Sequence, residues 1–148
     1  NYDGNPASVN VSQLQAWEKE GVIEWWGWKE SMKDIYAQAS IVCLPSYREG
    51  LPITLIEAAA CGRPIVASDV PGCREIVRTG ENGLLVPAHD VPALVAALKL
   101  LIQDSEMRHR MGLYGRKMAE EEFSMDLVIS QTLNVYHSIG GIDSEANP

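Results

Sequence analysis

IVCLPSYREGLPITLIEAAACGRPIVASDVP, residues 41–71, holds a strand, a loop, a helix and a second strand in one run. Ile41, Val42, Cys43 and Leu44 are apolar and stop at Pro45-Ser46, the pattern of a strand buried inside a parallel sheet. Residues 51–61 are apolar at nearly every position except Thr54 and Glu57, which predicts a helix packed on that sheet with one polar stripe. Pro64 to Ala67 is again wholly apolar and reads as the next strand. Glu49 in the loop and Glu57 in the helix are eight positions apart. Glu57 follows Ile53 by four residues and Thr54 by three, so it shares a face with the first helical turn and looks back toward its N-terminus. A loop carboxylate, the helix N-terminal amides and a second carboxylate are therefore expected to converge near one point.

Toward the N-terminus, Asp3, Gly4, Asn5 and Pro6 are turn formers, and residues 1–6 read as the tail of a strand and a turn. Val9 to Glu20 carries Val11, Leu14 and Trp17 at helical spacing, with Ser8 or Asn10 as N-cap and Gly21 as stop. Val22 to Trp26, VIEWW, is rich in β-formers and predicts a strand ending at Gly27, with Trp17, Trp25 and Trp26 as core or interface aromatics. Ser31 and Asp34 predict the start of a short helix whose inner face is Met32, Ile35, Tyr36 and Ala39.

Toward the C-terminus, Ser68 to Gly72 reads as a loop, Arg74 to Arg78 as a short helix or turn, and Leu84 to Val86 as the last strand, closed by Pro87. Val91, Leu94, Val95, Leu98, Leu101 and Ile102 recur at helical spacing behind Asp90 as N-cap and Pro92 in the first turn. A helix from about Ser105 to Glu121 turns Met107, Met111, Tyr114 and Met118 inward, and Ser124 caps a final helix carrying Leu127, Val128, Leu133 and Tyr136. Short apolar strands alternating with helices predict an α/β, Rossmann-like open parallel sheet with helices on both faces, a single domain over residues 1–139 and a frayed tail over 140–148. Ligands of such sheets sit outside the carboxyl ends of the strands, where the loops at Gly27, Glu49, Ser68 and Gly83 to Pro87 lie.

At 148 residues the chain has the length of one domain. Its net charge of −8 and pI near 4.8 argue against bulk attraction to nucleic acid or an anionic membrane. Cys43, Cys61 and Cys73 are odd in number, and the first two sit in apolar runs, which suggests a reducing, cytoplasmic setting. No apolar run approaches the ~20 residues of a membrane span. The sequence contains neither G-x-G-x-x-G nor G-x-x-x-x-G-K-[ST], and His89, His109 and His137 are scattered without metal-ligand spacing. Two glutamates beside a helix start first suggest an acid and base pair, but a raised-pKa acid is not something a sequence displays.

The stretch E-G-L-P-I-T-L-I-E, Glu49 to Glu57, resembles the E-x7-E motif of retaining GT-B glycosyltransferases. The resemblance extends through Ala58 to Ala67, through Gly72 with Glu75-Ile76-Val77, and through Asn82 to Pro87; Gly4-Asn5-Pro6 resembles the family's G-x-G-P turn with Asn5 in place of the second glycine. It implies the C-terminal, donor-binding half of a GT-B fold, without the acceptor-binding N-terminal domain and the first strand or two of its own. The implied activity is transfer of a hexosyl group from a nucleotide-diphosphate sugar, such as a UDP- or GDP-hexose, to a sugar or lipid-linked acceptor hydroxyl in polysaccharide or glycolipid biosynthesis. Configuration would be retained, with no metal and no cofactor besides the donor. Any contact with the inner membrane face would belong to the missing domain.

By the same resemblance Glu49 would hold hydroxyls of the donor sugar and be the residue nearest catalysis, and Glu57 would hold the ribose hydroxyls. The physics agrees, since a carboxylate accepts two hydrogen bonds from a vicinal diol and a helix N-terminus attracts a diphosphate. Gly50, Leu51, Pro52, Ile53 and Thr54 are the expected donor-binding residues between the two glutamates, with Gly27 and Trp28 bordering the base. Arg48, Arg63 and Arg74 do not match the family's diphosphate-binding cations. Each residue has a plainer reading: Glu49 a solvated loop acid, Glu57 half of a structural salt bridge, Thr54 a cap, Gly27 a strand-end turn. At the level of function, a sugar-nucleotide epimerase of the same architecture and a non-catalytic nucleotide-binding module stand as alternatives.

Overall fold

A computed structural model describes residues 9–140. The expected turn at residues 1–6 and the tail beyond residue 140 lie outside the described residues. The chain divides into two compact units, Asn1–Met32 and Lys33–Pro148.

In the first unit, α1 (Val11–Lys19) starts at Asn10, whose Oδ1 accepts from the Ser12 amide at 2.9 Å, and the chain leaves it through Gly21 at φ 71°. This is the expected helix with its expected cap and stop. The expected strand at Val22 to Trp26 does not form: among the described residues nothing pairs with it, and Val22 is 66% exposed. Preference for β structure reflects fit to a half-buried pleated surface, and without a neighbouring strand VIEWW stays irregular. Trp25 and Trp26 are correspondingly exposed rather than core residues.

From the boundary at Met32 onward the chain runs α2 (Met32–Gln38), β1 (Val42–Leu44), α3 (Ile53–Ala60), β2 (Ile65–Ser68), α4 (Pro71–Arg74), β3 (Gly83–Val86), α5 (Val91–Gln103), α6 (Ser105–Glu122) and α7 (Met125–Gly140). The strands form one parallel sheet in the order β1-β2-β3, with Val42 opposite Ile65 and Ser68 opposite Val86. Strand β2 is buried throughout, and its alternation divides the core. Ile65 and Ala67 pack with Leu55, Ala58, Ile76 and Met118 on one face, while Val66 packs with Val86, Leu101 and Met111 on the other. Helices thus cover both faces, as the alternating sequence pattern predicts. Strand β1 is less buried than its composition suggests, because α5 packs over β2 and β3 and leaves Cys43 exposed.

Helices α3 and α6 approach closely through glycines: a Cβ on Gly112 would overlap the Gly62 carbonyl, and one on Gly115 would meet Ala59 Cα at 3.6 Å. Asp90 caps α5 through the Ala93 amide at 2.9 Å, and Asp104 caps α6 through Met107 at 2.7 Å. Helix α4 begins earlier than the sequence pattern suggests, because Pro71 is pre-set for a first helical position. Met111 and Met118 are buried as expected. Helix α7 instead leaves Val128, Leu133 and Tyr136 exposed.

Candidate functional site

The loop after β1 leads into the start of α3 at the carboxyl edge of the sheet. The N-cap of α3 is Pro52, which has no side-chain cap, and only Leu55 turns back to the Pro52 carbonyl, at 2.9 Å. Pro52 also lacks an N–H, so the donors near this terminus are the amides of Leu51, Ile53 and Thr54 rather than an unbroken run. Leu51, Ile53 and Thr54 are exposed, leaving the positive end of the helix open to an anion. The plainer reading of Thr54 as a cap is not what the structure shows, since no side chain caps α3.

Glu57 is half-buried on α3, and Tyr36 of α2 donates its hydroxyl to Glu57 Oε2 at 3.0 Å. The same hydroxyl lies 3.3 Å from the Thr54 carbonyl, so its single proton is shared between a carboxylate and a backbone oxygen one helical turn apart. Burial, then the hydrogen bond to Glu57, pushes the Tyr36 pKa up to about 12. Tyr36 is therefore a permanent donor at neutral pH. Its bond orients the Glu57 carboxylate and leaves Oε1 without a protein donor among the described residues. The polar partner that a carboxylate on an apolar helix requires is this phenol, not a salt bridge.

Glu49 is positioned differently. Gly72, at the start of α4, lies so close to the loop that a Cβ there would overlap the carbonyl oxygens of Gly50 and Glu49. The Glu49 charge reaches the buried Cys73 thiol, whose pKa is raised by burial first and by Glu49 second. Glu49 thus sits on the loop against α4 that leads into the open α3 terminus, and Glu57 lies within α3 under Tyr36. Gly50 is exposed beside them. Arg74 is engaged with Asp69 at 2.5 Å and holds that carboxyl below the usual range. Gly27 (φ 63°) and Trp28, 82% exposed, belong to the first unit.

Two aromatic residues outside the sequence-based site border the same edge. Tyr36 was legible only as an inner-face residue of α2, since its partner is 21 positions away. Tyr47 stacks on His89 with ring centroids 4.1 Å apart, beside a small pocket of about 150 Å³ that Pro45, Ser68 and Val86 also line. His89 holds a left-handed φ of 67°, and nothing in its sequence context signalled that. Among the described residues no cluster of three or more His, Cys, Asp or Glu is placed to hold a metal ion.

A parallel α/β unit with helices on both faces and an open helix terminus at its carboxyl edge defines a Rossmann-like domain of the kind that makes up half of a GT-B protein. Residues 4–118 match the family described as Glycosyl transferases group 1, and the chain belongs to that family. It is 37% identical over 110 residues to D-inositol 3-phosphate glycosyltransferase of Kribbella flavida, covering 74% of this chain and 26% of the relative. Among solved structures it resembles sucrose-phosphate synthase from Thermosynechococcus elongatus, with a TM-score of 0.80, 29% identity, and coverage of 86% of this chain and 33% of the other. Anabaena Alr3699/HepE, solved in complex with UDP-glucose, shares the fold at a TM-score of 0.79 and 21% identity, over 86% of this chain and 36% of the other. The chain spans about a quarter to a third of the length of these proteins. The family expected from the sequence is the family found. Among the described residues no helix is long and apolar enough to cross a membrane.

Proposed function

We propose that this chain is the nucleotide-sugar-binding part of a hexosyltransferase that moves a sugar from a nucleotide-diphosphate donor to an acceptor hydroxyl with retained configuration, without a metal. The observation that carries the reading is the uncapped, exposed N-terminus of α3, with one half-buried carboxylate on the loop leading into it and a second within α3 held by a buried phenol. The diphosphate would lie at the Ile53 and Thr54 amides, with Glu57 Oε1 on the ribose diol and Glu49 on the sugar hydroxyls. Gly50 and Leu51 leave the backbone accessible along the way, and Gly27 and Trp28 are the candidates for the base. Acceptor and pathway, polysaccharide or glycolipid, would be set outside this chain, and any membrane contact likewise. Three free cysteines, one of them exposed, suit a cytoplasmic location. The UDP-glucose complex of the HepE protein and the names of the relatives support the donor class.

Catalysis in this reading is positioning and leaving-group stabilisation: the helix amides meet the charge that grows on the departing diphosphate. The test is calorimetry of the full-length protein against a panel of UDP- and GDP-sugars, with Glu57→Gln alongside. Binding of one donor class and its loss by ~10-fold or more in Glu57→Gln is expected, the scale of one charge-assisted hydrogen bond. Unchanged affinity and turnover in Glu57→Gln would remove Glu57 from the site.

A further inference from the structure

A cavity larger than the pocket beside Tyr47 lies in the second unit at the opposite edge of the sheet. It is a cleft of about 510 Å³ at the amino ends of β1 and β2, and Arg63, Arg108, His109 and Arg116 all line it. Three of the 12 Lys and Arg residues of a chain with net charge −8 are gathered here, and no carboxylate is among the lining residues.

Part of this clustering has a structural cause. Helices that return along a parallel sheet end at the amino edge, where their last carbonyls need donors. Arg63 Nη2 donates to Ala37 at the end of α2 at 3.3 Å, Arg116 Nη1 to Ala60 at the end of α3, and Arg108 Nη1 to Leu101 and Ile102 near the end of α5 at 2.5 and 2.8 Å. Arg116 also meets the exposed Glu120 on its own helix at 2.5 Å. These bonds use only some of the five N–H groups each guanidinium carries. One of the rest is conspicuous: Arg63 Nε is buried and has no acceptor among the described residues. Buried polar groups are almost always paired, so an orphaned guanidinium N–H in a cationic cleft calls for an acceptor from outside. A tetrahedral oxyanion offers several acceptor oxygens to converging guanidiniums.

We propose that this cleft is a second binding site, separate from the donor edge, that takes a phosphate monoester through Arg63, Arg116 and His109. Its volume leaves room for a small organic group on the phosphate. The same chemistry is presented by a free phosphate ester and by the headgroup of an anionic lipid.

The experiment titrates the full-length protein with inorganic phosphate and with glycerol 3-phosphate, against glycerol and against chloride at matched ionic strength. A parallel arm measures co-sedimentation with phosphatidylcholine vesicles with and without phosphatidic acid. Arg63→Gln removes the orphaned donor, and His109→Glu places a carboxylate in the cleft from an exposed position that should leave folding intact, as checked by the thermal midpoint. Saturable phosphate or ester binding that weakens about tenfold or more in both variants is expected, the scale of one charge-assisted hydrogen bond. Vesicle binding lost in the same variants would support the site with a lipid as its source. Alkylation of Cys61, which also lines the cleft, gives an independent readout: bound ester should slow it, with exposed Cys43 as internal reference. Absence of saturable binding in both arms, or binding unchanged in both variants, overturns the proposal.

Discussion

Tyr36 is 3% exposed, and its hydroxyl links α2 to the Glu57 carboxylate. Tyr36→Phe should keep the fold and free the carboxylate to rotate, raising the donor KM several-fold with a smaller change in kcat. The variant also has a pH signature. Because the folded pKa of Tyr36 is raised from 10.0 to about 12, its contribution to stability is intact below about pH 10 and is lost as pH rises toward 12. Thermal midpoints of the wild type should fall across that window more steeply than those of Tyr36→Phe. A buried residue of another kind is Asn82, fully buried, with Oδ1 accepting from the Arg78 amide at 2.7 Å and Nδ2 donating to the Ile76 carbonyl at 2.8 Å. Asn82→Ala strands both backbone groups and should destabilise the domain by ~2–4 kcal/mol in urea denaturation, the cost of two unsatisfied buried groups less partial relaxation. These roles were invisible in the sequence for one reason: each depends on a partner brought close only by the tertiary fold. Glu57 could be recognised as a carboxylate in need of a partner, but not as the partner of Tyr36.

At the scale of elements, periodicity and capping chemistry were read correctly where the element generates its own signal. Strand β2 is an apolar run between punctuating residues, and α5 has the acidic cap read at Asp90, whereas the Asp104 cap of α6 was not singled out. Asp90→Ala should cost about 1 kcal/mol, measured as a shift in denaturation midpoint, because the Ala93 amide loses its acceptor. The signal failed where an element depends on a neighbour. VIEWW has the composition of a strand and no strand beside it among the described residues, and Cys43 has the setting of a core residue but lies where α5 does not reach. The open start of α3 was legible in part: the amides were foreseen, while the absence of a cap is a fact of geometry.

For the molecule as a whole, Met125, Val128, Ile129, Leu133, Tyr136 and Ile139 form an exposed apolar stripe along one side of α7. The isolated 148-residue chain should self-associate as its concentration rises, seen by sedimentation velocity, and Val128→Glu with Leu133→Glu should restore a single slow species. The same isolated chain should bind nucleotide sugars weakly and transfer nothing, because the acceptor side of the reaction is proposed to lie elsewhere. Robust transfer by these residues alone would refute the two-domain reading. The fold class and family were readable because they rest on an order of elements and loops spread over most of the chain. The arginine-lined cleft was not, since Arg63, Arg108 and Arg116 meet only when three helix ends are stacked at one edge.

The contact between Gly72 and the loop carbonyls of Glu49 and Gly50 separates what can drift from what cannot. At this contact the loop is seated through main-chain atoms, so Arg48, and Tyr47 with the loss of its stack on His89, can be exchanged without moving the carboxylate that follows them. A library randomised at those two positions should therefore return folded proteins with altered sugar preference, while one randomised at position 72 should return almost none. New specificity in this domain is cheapest to evolve beside Glu49, on a rail laid down by a residue with no side chain.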